Sequence, residues 1–215
     1  IARRTAGQPR KYGTPELIEK YLPKLTSLDM DELYQAGMFV TEQHAGSDVS
    51  QTETRACRVG NTWRLYGQKW FCSNASADVM LVLARPDDAP AGWGGVTLFL
   101  MPKIKADGSS NDYRIVALKD KICTKSMATG EIELEGAEAY RIGEVGRGFQ
   151  QIAEMMQASR LSNSVRSAAL MRRALSESRY FARHRQAFGK PVESLPLMQV
   201  QLQKMELLVE QGRSF

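Results

Sequence analysis

Two polar segments of the chain carry residue types that could hold a planar ligand with carbonyl or phosphate oxygens. The first, residues 38–49, starts as a short apolar run and continues into small and polar residues that include Gly46. Such a loop exposes main-chain N–H groups, and a glycine lets the backbone come close to an anion or a ring carbonyl. The second, residues 67–74, combines aromatic rings with a serine and an asparagine. Either segment alone is more often an ordinary surface loop, and their combination indicates a site.

Three segments of the sequence resemble motifs of the acyl-CoA dehydrogenase family. Residues 38–49 resemble the pattern T-E-P-x-A-G-S-D, and residues 67–74 resemble G-x-K-x-[WF]-[IF]-[TS]-[NS]. Residues 182–190 resemble the R-x-x-F-G motif of the third domain of that family, and the order and spacing agree. Within the family the sequence is similar to the alkylation-response, AidB-like branch. The residues that carry this likeness are Gly67–Phe71, Lys119–Lys121 and Ala169–Leu175.

The resemblance implies that FAD is the cofactor. An isoalloxazine ring needs hydrogen-bonding groups along its edge and apolar cover over one face. By the resemblance, Thr41 contacts the pyrimidine edge, Phe71 lies beside the ring and Ser73 reaches the nitrogen that accepts hydride. The cofactor-binding residues implied are Met38, Val40, Thr41, Gly46, Ser47, Phe71, Cys72, Ser73, Arg185 and Phe188.

The resemblance also implies a substrate and an assembly. Ser47, Ser126 and Arg160 match positions near an acyl-CoA thioester or its CoA moiety. Arg185 and Phe188 match residues that contact the FAD diphosphate of a neighbouring subunit, for which a guanidinium fork is well suited. Self-association as a homodimer or homotetramer is therefore expected. Gln43 stands where the first motif of the family usually has a proline.

No catalytic residue is predicted within the chain. The family mechanism needs a carboxylate to remove the α-proton while hydride leaves the β-carbon. The glutamate that does this in most members is expected beyond Phe215, and the alternative family position is Ser159, which has no carboxylate. Glu42 and Glu154 are not nominated as the base.

Three functions remain open from the sequence. The first is α,β-dehydrogenation of an acyl-CoA by an FAD-dependent oxidoreductase whose electron acceptor is unidentified. The second is an AidB-like flavoprotein with weak or vestigial dehydrogenase activity, associated with double-stranded DNA. A net charge of +5 is compatible with anionic partners, and Arg172, Arg179 and Arg183 share a predicted helix face. Such a face is usually only solvated. The third is a non-enzymatic scaffold with the same fold.

Composition excludes several other classes. A chain of 215 residues with 43% hydrophobic and 25% charged residues has enough apolar material for a folded core. Its longest apolar run, Val79–Ala84, is far too short to cross a bilayer. Cys57, Cys72 and Cys123 form no C-x-x-C pair, and the two histidines have no ligand-like spacing, so neither disulfides nor a metal site is predicted. These features favour the cytoplasm. The chain starts at Ile1 and looks like an internal piece of a longer protein.

The order of helix, strand and helix patterns predicts an α+β fold with an antiparallel β-barrel or sandwich in the middle. The expected domains are residues 1–36, the end of an N-terminal helical domain, residues 37–143, a flavin-binding middle domain, and residues 144–215, the first helices of a C-terminal bundle. The predicted strands are Arg55–Val59, Thr62–Lys69, Val79–Ala84, Val96–Met101, Tyr113–Leu118 and Glu131–Leu134. The predicted helices are Glu16–Leu25, interrupted at Pro23, Phe149–Ser159, Leu161–His184 and Leu195–Gly212. A methionine-rich stripe on the last helix is expected to be bundle core.

Overall fold

A computed structural model describes residues 5–214. The predictions that concern residues 1–4 and Phe215 lie outside this range. The helices are α1 Gly7–Tyr12, α2 Pro15–Thr26, α3 Gly148–His184 and α4 Pro196–Ser214. The strands are β1 Ala36–Phe39, β2 Arg55–Val59, β3 Thr62–Ser73, β4 Val79–Pro86, β5 Thr97–Pro102, β6 Tyr113–Leu118, β7 Thr129–Ile142, β8 Gln186–Ala187 and β9 Lys190–Pro191. This order confirms the predicted α+β class.

Helix α2 starts where the sequence indicates. Thr14 is the extended N-cap residue, and Pro15 occupies the first helical turn, where its missing N–H costs nothing. The prediction that Pro23 interrupts this helix is wrong, because the helix continues to Thr26. Proline removes one hydrogen bond close to the helix end, and burial of the apolar face holds the last turn. That face consists of Leu17, Tyr21 and Leu25.

Strands β1 to β7 form one sheet that closes on itself, which confirms the barrel-like middle region. The order is β1-β3-β2-β4-β5-β7-β6, and additional β1–β4 and β3–β7 pairings close the sheet. The sheet is not purely antiparallel as predicted, because β1 and β2 both run parallel to β4. Strand β1 pairs with residues 79–82 of β4, and β2 pairs with residues 85–86. Both strands therefore lie one after the other along the same edge of β4. Residues 40–54 form the loop between them.

Strand β4 lies between two hydrophobic cores. Val79, Leu81 and Leu83 face the core that also contains the apolar face of α2. Met80 and Val82 face the barrel interior, together with Phe39 and Phe99. A strand that is buried on both faces has no polar alternation, which explains why the sequence shows an uninterrupted apolar run here.

The chain divides into two compact units, residues 1–156 and 157–215. The prediction of a break near Arg160 is wrong, because α3 is one continuous helix. No proline or glycine stands in its interior, and the polar stretch at residues 162–164 alone does not end the helix. In the second unit, β8 and β9 form a short hairpin that the sequence analysis did not anticipate. On α4, Leu202 and Val209 are buried, in keeping with the expected core stripe.

No helix within residues 5–214 is both long enough and apolar enough to cross a membrane.

Candidate functional site

Three segments meet at one end of the barrel, and we call them the barrel rim. They are residues 40–48, residues 70–74 at the end of β3, and residues 119–128. The main-chain N–H of Trp70 donates to the carbonyl of Thr41 at 2.7 Å, and that of Asn74 donates to Ala128 at 2.8 Å. Met38 on β1 pairs directly with Ser73 on β3. The rim thus brings together the two motifs that the sequence analysis singled out.

A bulge in β3 turns one aromatic ring outward at the rim. The register between β3 and β7 shifts between Lys69 and Cys72. Phe71, inside the shift, has φ of +53° and remains 58% exposed. A left-handed conformation is unfavourable for a bulky residue, by an amount on the order of 1 kcal/mol or more. The fold therefore keeps the Phe71 ring exposed to solvent at a local cost in backbone conformational energy.

Three side-chain hydroxyls at the rim are available for a ligand. Within residues 5–214, the oxygens of Thr41, Ser47 and Ser73 make no hydrogen bond to another protein group. Gly46 lies beside Thr41, and a Cβ built there would be 3.8 Å from the Thr41 methyl carbon. Neither packing nor a positive φ requires glycine at this position.

The side chains of three predicted cofactor residues, Met38, Val40 and Cys72, pack against the hydrophobic cores. Cys72 is fully buried and its thiol faces the barrel interior. Burial raises the pKa of the Cys72 thiol to about 12, against the lowering effect of Lys69 nearby. Met38 and Val40 pack against the other hydrophobic core. Their side chains support the rim from beneath.

The remaining predicted residues are exposed. Ser126 lies in the 119–128 segment, which is closed where the Lys119 N–H donates to the Thr129 carbonyl at 2.8 Å. In the second unit, Arg160 is exposed on α3, and Arg185 precedes the β8–β9 hairpin. Phe188, in the hairpin turn, has φ of +52° and is 91% exposed.

A buried ion pair stands beneath the rim, and the sequence analysis did not find it. Lys69 Nζ lies 2.5 Å from Glu42 Oε1, and the two side chains are 0% and 7% exposed. Burial alone would raise the pKa of Glu42, but the charge and hydrogen bonds of Lys69, Thr54 and Glu53 lower it. Burial lowers the pKa of Lys69, and Glu42 opposes that change. The sequence signal that could have revealed this pair is Lys69 itself, because it is a lysine at an inward-facing position of a predicted strand.

Neither carboxylate considered in the sequence analysis is suited to act as a base. Glu42 accepts four hydrogen bonds, and its lowered pKa makes it a weak proton acceptor. Glu154 accepts from Lys11 Nζ and from the Tyr12 hydroxyl, both at 2.7 Å. Hydrogen bonds from Lys11 and Tyr12 lower the pKa of Glu154 as well.

Two sizeable recesses lie away from the rim. One, of about 640 Å³, is next to the β2–β3 turn and is lined by Lys20, Arg58 and Arg141 with the rings of Trp63 and Tyr140. The other, of about 870 Å³, lies within the second unit. Its apolar lining includes Phe181, Leu195, Met198, Leu202 and Met205. Neither recess contains a residue of the two β-barrel motifs.

Comparison with protein families identifies the class. Residues 37–137 match the acyl-CoA dehydrogenase middle domain, and residues 146–215 match the acyl-CoA dehydrogenase C-terminal domain. Together the two matches extend over most of the sequence. The chain belongs to the acyl-CoA dehydrogenase family, whose members are flavoprotein oxidoreductases.

Individual relatives place it near the predicted branch. The chain is 36% identical to AidB of Escherichia coli (strain K12) over 198 residues, which confirms the expected likeness. It is 38% identical to acyl-CoA dehydrogenase family member 11 of Caenorhabditis elegans over 202 residues. These alignments include 92% and 91% of the chain but 36% and 33% of the relatives. The chain thus spans about a third of the length of these relatives.

Solved structures agree with the fold. The apo form of Bd2924 superposes with a TM-score of 0.89 at 35% identity, covering 99% of this chain and 43% of that one. Caenorhabditis elegans ACDH-11, solved in complex with C11-CoA, gives a TM-score of 0.86 at 37% identity. That match covers 97% of this chain and 36% of ACDH-11.

Proposed function

We propose that this protein is an FAD-dependent, acyl-CoA dehydrogenase-like oxidoreductase that introduces an α,β double bond into an acyl-CoA thioester. The observation that carries the proposal is the barrel rim, where Thr41, Phe71 and Ser73 come together. An exposed aromatic ring on the same rim as two hydroxyls that have no protein partner within residues 5–214 fits the face and the edge of an isoalloxazine. When bound, FAD supplies the acceptor for the hydride that leaves the β-carbon.

The chain's own residues bind and orient the reactants in this proposal. Thr41 meets the pyrimidine edge, Ser73 the hydride-accepting edge, and Phe71 covers the ring. Gly46 allows the loop backbone to approach, and the main chain of Cys72 adds an N–H. Ser47 and Ser126 face the thioester end of the acyl-CoA, and Arg160 faces its CoA moiety. The ACDH-11 complex with C11-CoA supports this substrate class for a relative of similar fold.

The general base is proposed to lie outside residues 5–214. Removal of the α-proton needs a carboxylate within about 3 Å of hydrogen-bonding geometry, directly or through one water. Glu42 and Glu154 are both held by other donors and have lowered pKa values. We therefore expect residues 1–215 alone not to dehydrogenate an acyl-CoA, even with FAD supplied.

Assembly into a homodimer or homotetramer is part of the proposal. Arg185 and Phe188 are proposed to reach the FAD diphosphate of a neighbouring subunit, and the exposed Phe188 ring supports a partner at this point. The second unit also exposes many large apolar side chains, among them Leu161, Val165, Tyr180, Leu207 and Leu208. Three free cysteines support a cytoplasmic location. The proposed domain division, at residues 36/37 and 143/144, is supported by the limits of the two family matches.

A visible spectrum of the full-length protein tests the proposal. The purified protein should carry yellow FAD, and anaerobic addition of acyl-CoAs of several chain lengths should bleach the flavin band. A full-length protein that neither retains nor binds FAD contradicts the proposal at its base. If the protein binds FAD but no acyl-CoA reduces it, the flavoprotein assignment holds and the proposed dehydrogenase activity is wrong.

An AidB-like association with double-stranded DNA is the second candidate. The likeness to AidB favours it, and Arg160 and Arg172 are exposed on α3. Two other arginines of this helix are already engaged, because Arg179 pairs with Glu206 at 2.8 Å and Arg183 with Glu193 at 3.0 Å. Duplex affinity should fall steeply with salt as counterions are released. Binding that does not depend on salt, or no binding at low salt, contradicts this candidate.

A further inference from the structure

We propose that the buried ion pair between Glu42 and Lys69 is a positioning device that fixes the two flavin-facing segments of the barrel rim relative to each other. The inference rests on the proposed flavin site and assigns a role to two residues that do not themselves face the ligand.

The Glu42 carboxylate joins three separate segments of the chain. Oε1 accepts from Lys69 Nζ at 2.5 Å and from the Thr54 hydroxyl at 2.6 Å. Oε1 also accepts from the Thr54 N–H at 3.2 Å, and Oε2 accepts from the Glu53 N–H at 2.7 Å. The Lys69 ammonium also donates to the Val40 carbonyl at 3.4 Å. The start and the end of the 40–54 loop are thereby tied to one point on β3.

The pair stands next to both flavin-facing segments. Glu42 directly follows Thr41, and Lys69 directly precedes the bulge that carries Phe71. Lys69 is paired with Ile132 on β7, and regular pairing resumes only at Cys72. Between these points the bulge has lost its β7 partners. The Trp70–Thr41 main-chain bond, at 2.7 Å, supports it from the other side.

Stability alone does not explain why charged residues occupy this position. Replacing a buried ion pair with apolar residues of similar volume is often neutral or stabilising. An ammonium and a carboxylate joined by directed hydrogen bonds allow only one placement of the segments that carry them. An apolar contact does not restrict the placement in this way. Supporting side chains of this kind hold binding groups within a fraction of an ångström. Precision at the rim is therefore the property that the pair supplies.

The test compares two neutral double variants in the full-length protein. Glu42→Gln combined with Lys69→Met removes both charges and leaves no uncompensated ion. The control, Glu138→Gln combined with Arg64→Met, lies away from the rim and removes the pair between β3 and β7, with a separation of 3.4 Å, together with the Arg64–Asp112 pair at 3.5 Å. Asp112 keeps its pair with Lys105. The readouts are the FAD dissociation constant, the flavin absorption band shape, the flavin reduction potential and the thermal midpoint.

The rim double variant should stay folded yet bind FAD roughly tenfold or more weakly, with altered band shape and potential, because small misplacements at a site are costly. The control should keep the dissociation constant within about twofold. Thr54→Val removes one hydrogen bond to Glu42 and keeps both charges, and it should weaken FAD binding severalfold. If the rim double variant does not fold, Thr54→Val is compared with the control instead.

The outcomes separate the two proposals. If the unmodified protein binds FAD and both the rim double variant and Thr54→Val bind it equally well with the same spectrum, the positioning role is wrong and the flavin site stands. If the unmodified protein binds no FAD, the proposed function is wrong, and the positioning role is wrong with it.

Discussion

The ammonium of Lys119 lies 4.1 Å from the centre of the Trp70 ring and 5.0 Å from that of Phe71. The same ammonium is paired with the Glu131 carboxylate. One cation therefore connects the 119–128 segment with the bulge of β3.

Lys119→Met should loosen the bulge without unfolding the barrel. A cation over an aromatic face contributes about 0.5–1 kcal/mol when it is partly exposed. We expect a slightly lower free energy of unfolding and a change in tryptophan emission, because Trp70 loses its charged neighbour. Lys125→Met, which removes an exposed pair with Asp120, is the control. Identical emission spectra for Lys119→Met and the unmodified protein would contradict the contact.

Ser73→Ala should weaken FAD binding or shift the flavin potential. One hydrogen bond contributes roughly 1 kcal/mol net, which corresponds to about a fivefold change in the dissociation constant. Ser76→Ala, an exposed serine in the turn that follows β3, serves as the matched control. If Ser73→Ala has the same FAD affinity and the same flavin potential as the unmodified protein, the Ser73 hydroxyl does not contact the flavin.

Acid stability should depend on Glu42. Because the pKa of this carboxyl is lower in the folded protein than its usual value of 4.5, its contribution to stability is complete above that value. The contribution is lost as the pH falls through the lowered pKa of the folded state. The free energy of unfolding should therefore fall more steeply between about pH 5 and pH 3 in the unmodified protein than in the double variant Glu42→Gln with Lys69→Met, which leaves no buried charge unpaired. Parallel pH profiles from urea denaturation would exclude this linkage.

The three thiols should react in a fixed order. Cys123 is exposed and should be modified first by a thiol reagent at pH 8. Cys57 should follow slowly, because its hydrogen bond to Asp87 and its partial burial raise the pKa of the thiol. Cys72 should react only on unfolding, since the thiolate is the reactive form and its pKa is raised to about 12. Cys123→Ser should abolish the fast phase. A fast phase that persists in this variant would contradict the assignment.

The parts of the fold that sequence predicts well are those with a local signal. Strand β6 has the predicted bounds, and the turn at Gly60 joins β2 to β3 as expected, since Gly60 has φ of +61°. Strand β7 extends to Ile142, well beyond the predicted Leu134, because residues 135–142 continue the pairing with β3 and β5. Ala137, Ala139 and Ile142 are fully buried in this extension.

The candidate site was predictable to the extent that motif residues carry it. Thr41, Phe71 and Ser73 do come together at one rim. The Glu42–Lys69 pair was not predictable, because it joins residues that are 27 positions apart and depends on the register of β1 against β3. The left-handed Phe71 is also a property of the bulge, which arises where β3 and β7 lose register.

Because β1 and β2 both pair with the same edge of β4, the loop between them is anchored at both ends, which determines how the site can change in sequence. Phe39 is paired with Val82, and Arg55 with Arg85, so the two ends of the 40–54 loop are anchored three strand positions apart, roughly 10 Å. A loop whose ends are already fixed side by side can change between them at little entropic cost. Glu42 and Val49 are buried and hold this loop to the barrel, so the change is confined to its exposed residues, such as 46–48. New ligand chemistry can be acquired at those positions while the barrel keeps its register.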